Sequence, residues 1–210
     1  MKIALIGASG TVGQRILKEA LRRGHQVAAI VRDPSRITQE DEKLRIVTAD
    51  LLDGQSISKA VAGYDVVISA YGPSHGAEDT MKTVTQGLIN AVKQAGIQRL
   101  LIVGGAGSLE VAPGLQLVNA PNFPEAWKPI ALAHDEALET YRKADLDWTY
   151  FSPAAMFEPG ERTGTFRIGA DQLVVDEKGE SRISTEDYAI AMLDEVENPR
   201  FIRKRFTIAY

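Results

Sequence analysis

The run Lys2-Ile-Ala-Leu-Ile-Gly-Ala-Ser-Gly-Thr-Val-Gly13 constrains this chain more than any other stretch, because an aliphatic segment breaks into three glycines and then resumes as an amphipathic one. That is the pattern of a strand, a tight loop and a helix N-terminus. Glycine is required where the turn visits dihedrals closed to a Cβ, and where backbone must approach a pyrophosphate whose charge is met by the free N–H groups and dipole of the helix. Gly7, Ser9, Gly10, Thr11, Val12 and Gly13 are therefore expected to cradle the pyrophosphate of a dinucleotide.

Beyond this loop the chain keeps alternating between apolar and amphipathic segments. Short apolar runs at Ile3–Ile6, Val27–Val31, Leu44–Val47, Val66–Ser69, Leu100–Val103 and Trp148–Phe151 have the unbroken character of strands buried on both faces. Segments of helical period at Val12–Arg23, Ile57–Val61, Thr80–Gln94 and Ile130–Ala144 lie between them, the first closed by Gly24 and the third by Gly96. This alternation predicts an α/β fold with a doubly wound parallel sheet, a Rossmann fold, in one domain spanning residues 1–210. Residues 153–204 form its substrate-side extension, with short strands at Thr165–Gly169 and Gln172–Asp176 and a helix from Ser184 through Glu195. Ser184 and Asp187 read as a capping pair, and Arg205–Tyr210 as a closing strand. The stretch from Gly104 to Pro129 carries four prolines and predicts a loop beside the cleft.

Composition narrows the partners. With 24 basic and 28 acidic residues mixed along 210 positions and a net charge of −4, the chain offers no field for nucleic acid or an anionic membrane. It has no cysteine, and its three histidines lack metal-ligand spacing, so no metal site is expected. The first strand begins at Lys2 and no apolar run approaches a membrane span, which predicts a soluble, cytoplasmic protein.

The strand ends supply the remaining candidates. A basic group after the second strand pairs with a 2′-phosphate where an acidic one would accept from the 2′-hydroxyl. Arg32 holds that place and predicts NADPH over NADH, with Ser35 and Arg36 also within reach of the phosphate. Asp33, followed by Pro34, reads as a helix cap. After the third strand, Asp50 can accept from the adenine amino group or cap the next helix, while Leu51 covers the ring. After the fourth, Ala70 and Gly72 let the chain pass close to the cofactor, and Tyr71 lines the nicotinamide side or packs at the mouth of the sheet. The fifth opens into Gly104-Gly-Ala-Gly-Ser108, where Gly104 borders the cofactor and Ser108 is the hydroxyl for substrate contact or a turn serine bonded to its own backbone.

These residues resemble the atypical short-chain dehydrogenase/reductase superfamily, in particular its small NAD(P)H-binding members related to NmrA-like proteins and flavin reductases. The G-x-x-G-x-x-G spacing is of the short-chain type. Ser152–Gly164, Ser181–Ala189 and the terminal Arg205-Phe-Thr are similar to bacterial proteins described as NADH-flavin reductase-like. The resemblance implies that Pro153 runs along the nicotinamide, that Met156 and Phe157 help form the acceptor pocket, and that Glu158, Glu161 and Arg162 form a lid or a solvated loop. Classical members use a Tyr-x-x-x-Lys pair, and no tyrosine here has lysine four places on. His134 stands where the lysine would be, as a ribose or proton donor or as a surface histidine beside Asp135. Without the tyrosine, reduction of an isolated carbonyl lacks its acid, whereas hydride transfer to a flavin or quinone spreads charge over a delocalised acceptor. The implied activity is an NAD(P)H-dependent reductase of flavin- or quinone-like acceptors. The alternatives are a non-catalytic NADP(H)-sensing regulator of a protein partner, and a nucleotide-sugar epimerase or dehydratase.

Overall fold

Along β1 (Lys2–Ile6) successive side chains point to opposite faces, and both faces are buried: Ile3 and Leu5 join one hydrophobic cluster, Ala4 and Ile6 the other. The computed structural model, which describes residues 1–210, repeats this two-sided burial through the centre of its main sheet. In chain order α1 (Thr11–Arg22), β2 (Gln26–Val31), β3 (Leu44–Thr48), α2 (Gly54–Val61), β4 (Val66–Ser69), α3 (Thr80–Gln94) and β5 (Arg99–Val103) make the first half. The second half holds a hairpin of β6 (Glu110–Ala112) and β7 (Leu115–Gln116), then α4 (Lys128–Arg142), β8 (Asp147–Ser152), β9 (Met156–Glu158), β10 (Arg167–Gly169), β11 (Arg182–Ser184), α5 (Thr185–Glu197) and β12 (Lys204–Ala209).

The eight-stranded sheet runs β10-β12-β8-β5-β4-β1-β2-β3, parallel throughout except that β10 lies antiparallel to β12 at one edge. It is a Rossmann fold. Helices α1 and α5 cover one face, where Phe151 stacks between Tyr188 at 3.8 Å and Phe206 at 4.0 Å; the core on the other face includes Ile57 of α2, Leu88 of α3 and Leu138 of α4. Strand order reverses between β1 and β4, so their carboxyl ends open onto a crevice. No helix is long and apolar enough to cross a membrane.

Several expectations change. β3 is an edge strand, with Arg45 and Ile46 facing solvent instead of buried on both sides. Gln172–Asp176 is not a strand: Gln172 makes one bridge to Glu110, and Asp176 closes a turn by accepting from the N–H groups of Lys178 and Glu180. The Gly104–Pro129 stretch contains the β6–β7 hairpin and two short 3-10 turns. Ser184 caps α5 by accepting from the Asp187 N–H at 3.0 Å, but the Asp187 carboxylate does not reach back. It accepts instead from the N–H groups of Thr163 and Gly164 and from the Thr163 and Tyr210 hydroxyls, holding the 159–165 segment on α5.

Candidate functional site

The glycine loop is built by close approach. Gly7 has φ +76° and a Cβ there would lie 2.8 Å from the Ala70 carbonyl oxygen, so the end of β1 presses on the end of β4. A Cβ on Gly13 would lie 2.1 Å from the Gly7 carbonyl oxygen, which seats the first turn of α1 on the loop. Gly10 caps α1 without a side-chain bond, and the first turn carries no acidic residue. A cradle that any side chain would fill, at an uncapped positive helix end, suits a pyrophosphate.

This loop forms one end of a cleft of about 690 Å³. Gly7, Ser9 and Gly10 line it, as do Arg32 beyond β2, Asp50 and Leu51 beyond β3, and Ala70, Tyr71 and Gly72 beyond β4. Thr11, Val12, Gly13, Gly104 and Pro153 do not. Thr11 is exposed at the start of α1, Val12 packs against the α1–α5 core, and Pro153 is buried after β8. Gly104 is explained by packing, since a Cβ there would meet the Tyr150 ring at 2.2 Å.

Charge in the cleft is concentrated at the β2 end. Arg32 and Arg36 are exposed there with no carboxylate partner. Asp33 caps a 3-10 turn as expected, accepting from the Ser35 N–H at 3.0 Å and the Ser35 hydroxyl at 2.6 Å; these bonds hold its carboxyl below the usual range. The N–H and hydroxyl of Ser35 are thereby both engaged with Asp33. Asp50 closes its own turn by accepting from the Leu52 N–H, while Asp53 caps α2. Thr80 donates to the Ala77 carbonyl, so the 2.6 Å contact with Tyr71 is a bond donated by the phenol. Sequence reasoning missed Thr80, whose only local signal was its place at a helix start.

Both residues expected to contact substrate have other employment. Ser108 is 6 % exposed and outside the cleft, and its hydroxyl and carbonyl both accept from Arg205, at 2.9 and 3.1 Å. Arg205 in turn donates to Asp171 at 2.6 Å, so one guanidinium ties β12 both to the loop after β5 and to the segment after β10. The substrate role for Ser108 is therefore withdrawn: this buried guanidinium needs its acceptor. His134 is neither at the cleft nor a free surface residue. Tyr150 donates to the His134 carbonyl at 2.9 Å, so the 3.3 Å contact from imidazole Nδ1 comes from an N–H that donates to the phenol oxygen. Burial lowers the His134 pKa from 6.5 to about 4 and pushes the Tyr150 hydroxyl well above its usual range. The imidazole is neutral near pH 7. Phe157 packs against Tyr188 at 4.7 Å, Met156 is half exposed, and Arg162 is a strut to Glu19 on α1 and not a lid.

Comparison with known proteins agrees with this geometry. A family model described as NAD(P)H-binding matches residues 7–199. A Burkholderia pseudomallei crystal structure, provisionally described as an exported protein, is 52% identical with TM-score 0.92 and full coverage of both chains. A Bacteroides thetaiotaomicron structure provisionally described as an epimerase is 45% identical (TM-score 0.93, covering 100% of this chain and 96% of that one). A Streptococcus pneumoniae structure provisionally described as an NADH-flavin reductase is 38% identical (TM-score 0.86, covering 100% and 99%).

Proposed function

The chain belongs to the NAD(P)H-binding family and is an NAD(P)H-dependent oxidoreductase, and from that premise we propose that it passes hydride from NADPH, in preference to NADH, to a flavin- or quinone-like acceptor. The glycine loop would hold the pyrophosphate, and Arg32 with Arg36 the 2′-phosphate. Asp50 and Leu51 would border the adenine, with Tyr71 oriented by Thr80 toward the nicotinamide side. NADPH, when bound, supplies the hydride.

One observation carries the choice of acceptor: Ser108, Tyr150 and His134, the candidate proton donors near the end of β5, lie outside the cleft and are engaged in the packing. Ser108 is held by Arg205, and the Tyr150 proton goes to the His134 carbonyl. Partial burial and desolvation keep His134 neutral near pH 7. None of these three lines the cleft, so none is placed to protonate a localised alkoxide or to take a proton from a sugar hydroxyl there, which disfavours carbonyl reduction and epimerisation alike. A delocalised acceptor takes its proton from water, and positioning then suffices. A cytoplasmic location fits, because that is where reduced nicotinamide is maintained.

The test is anaerobic mixing with NADPH or NADH and with FMN, riboflavin or a small quinone, following loss of reduced-nicotinamide absorbance. Turnover well above the protein-free rate, faster with NADPH, is the expected result. Tight NADPH binding with no turnover on any acceptor would replace this reading with a cofactor-sensing role.

A further inference from the structure

A second groove, of about 420 Å³, runs between the outer flank of α1 and residues 36–39. Leu17 and Ile37 are its apolar lining, and most of its charged lining is cationic. Two of the rim arginines are already neutralised: Arg15 pairs with Glu186 at 3.0 Å and Arg162 with Glu19 at 2.8 Å. Burial pushes Glu19 upward, but the Arg162 and Arg23 guanidiniums outweigh it and hold its carboxyl below the ordinary value, so this acid stays ionised. Lys18, Arg22 and Arg36 are different. They are exposed on the same groove and make no ion pair within 4 Å, although Asp33 lies near enough to Arg36 for the guanidinium to help lower its carboxyl.

Lys18 and Arg22, unpaired and joined on one groove by Arg36, stand out in a chain of net charge −4. Lys18 and Arg22 are four residues apart on one helix face, where like charges repel by a few tenths of a kcal/mol, approximately. An anion between them removes that repulsion, and the Thr38 hydroxyl and Gln39 amide on the opposite wall are neutral donors of the kind that oxyanions accept from. Arg36 also lines the cofactor cleft, so one guanidinium faces two sites.

We propose that this groove binds a small molecule through a phosphoryl group, and that its occupant draws Arg36 away from the 2′-phosphate of NADPH. The binding site stands on charge and shape; the competition rests on the NADPH reading above. An occupant would weaken NADPH more than NADH, making cofactor preference responsive to a phosphorylated metabolite.

Inorganic pyrophosphate is the probe, titrated calorimetrically into protein saturated with NADH, which fills the cleft apart from its 2′-phosphate corner. Binding should persist under saturation, weaken with added salt, and fall about tenfold in the Lys18→Ala/Arg22→Ala variant, whose NADH affinity is unchanged. Pyrophosphate should also raise the Kd for NADPH in the wild type by a larger factor than in that variant. Loss of pyrophosphate binding on NADH saturation, or equal binding by the variant, overturns the groove site. If pyrophosphate weakens NADPH equally in both proteins, it acts inside the cleft and the coupling is refuted. Equal affinity for NADPH and NADH would instead refute the cofactor reading, and the titration of NADH-loaded protein would still decide the groove.

Discussion

Two glycines in helices should respond to the same substitution with opposite sign. Gly13 lies in α1 and Gly87 in α3, and replacing glycine with alanine inside a helix ordinarily stabilises it by up to about 1 kcal/mol. At Gly87 an added Cβ meets nothing within 4 Å, so that gain should appear whole. At Gly13 the Cβ would sit 2.1 Å from the Gly7 carbonyl oxygen, 2.9 Å from its carbon and 3.0 Å from the Ala8 Cα. These are backbone atoms of a loop fixed by the Gly7 N–H to Ile30 and the Gly10 N–H to Gly7, so no side chain can swing aside. Relieving such overlap costs roughly 1–3 kcal/mol or more, which exceeds the helix gain and leaves Gly13→Ala less stable by about 1–2 kcal/mol. At about 2–4 °C per kcal/mol for a chain of this size, Gly87→Ala should melt about 2–4 °C above wild type and Gly13→Ala at least about 2 °C below it. Circular-dichroism melts on the three proteins decide the matter, with NADPH binding measured in parallel because the same shift deforms the pyrophosphate cradle. A Gly13→Ala protein melting at or above wild type would refute the close-approach explanation of this glycine.

Arg32→Ala and Arg36→Ala should each weaken NADPH about 5- to 30-fold and leave NADH nearly unchanged in fluorescence titrations; equal losses for both cofactors would remove the phosphate assignment. His134 makes stability depend on acid in a defined window. Its folded pKa of about 4 lies below the 6.5 of the unfolded chain, so unfolding takes up a proton and stability falls as pH drops between those values. The loss is roughly 2–3 kcal/mol, and His134→Gln should flatten it, as read from urea midpoints at pH 7, 5.5 and 4.5; parallel slopes would contradict a buried neutral imidazole. Arg205→Ala should cost roughly 2–4 kcal/mol by leaving Ser108 without its donor, and amide exchange should rise most around residues 105–118. A change confined to β12 would dissociate Ser108 from Arg205.

Much of the frame is local and was therefore legible. Gly13 acts on neighbours within its own loop, Asp33 caps with Pro34 beside it, and Ser184 caps three residues on, so each of these signals and its consequence lie within a short stretch of chain, whereas Gly7 meets Ala70 of a distant strand end. The cleft residues after β1 to β4 were legible for a related reason, because the carboxyl ends of parallel strands share one edge of the sheet. Ser108, His134 and Gly104 were read less well. Their chemistry is set by Arg205 and Tyr150, which lie 97, 16 and 46 residues away. The edge position of β3 and the irregular course of Gln172–Asp176 likewise depend on which segments lack a neighbour.

The sequence by itself determined the alternation of strand and helix, the phosphate loop and the basic residues after β2, because periodicity, backbone dihedrals and charge at a strand end are properties of short stretches. Tertiary structure alone decided which hydroxyls and imidazoles remain available for chemistry. Hydrogen-bond partners and desolvation come from groups distant in the chain, and only the packed sheet brings Arg205 to Ser108, Tyr150 to His134, and Lys18 with Arg22 to face Arg36.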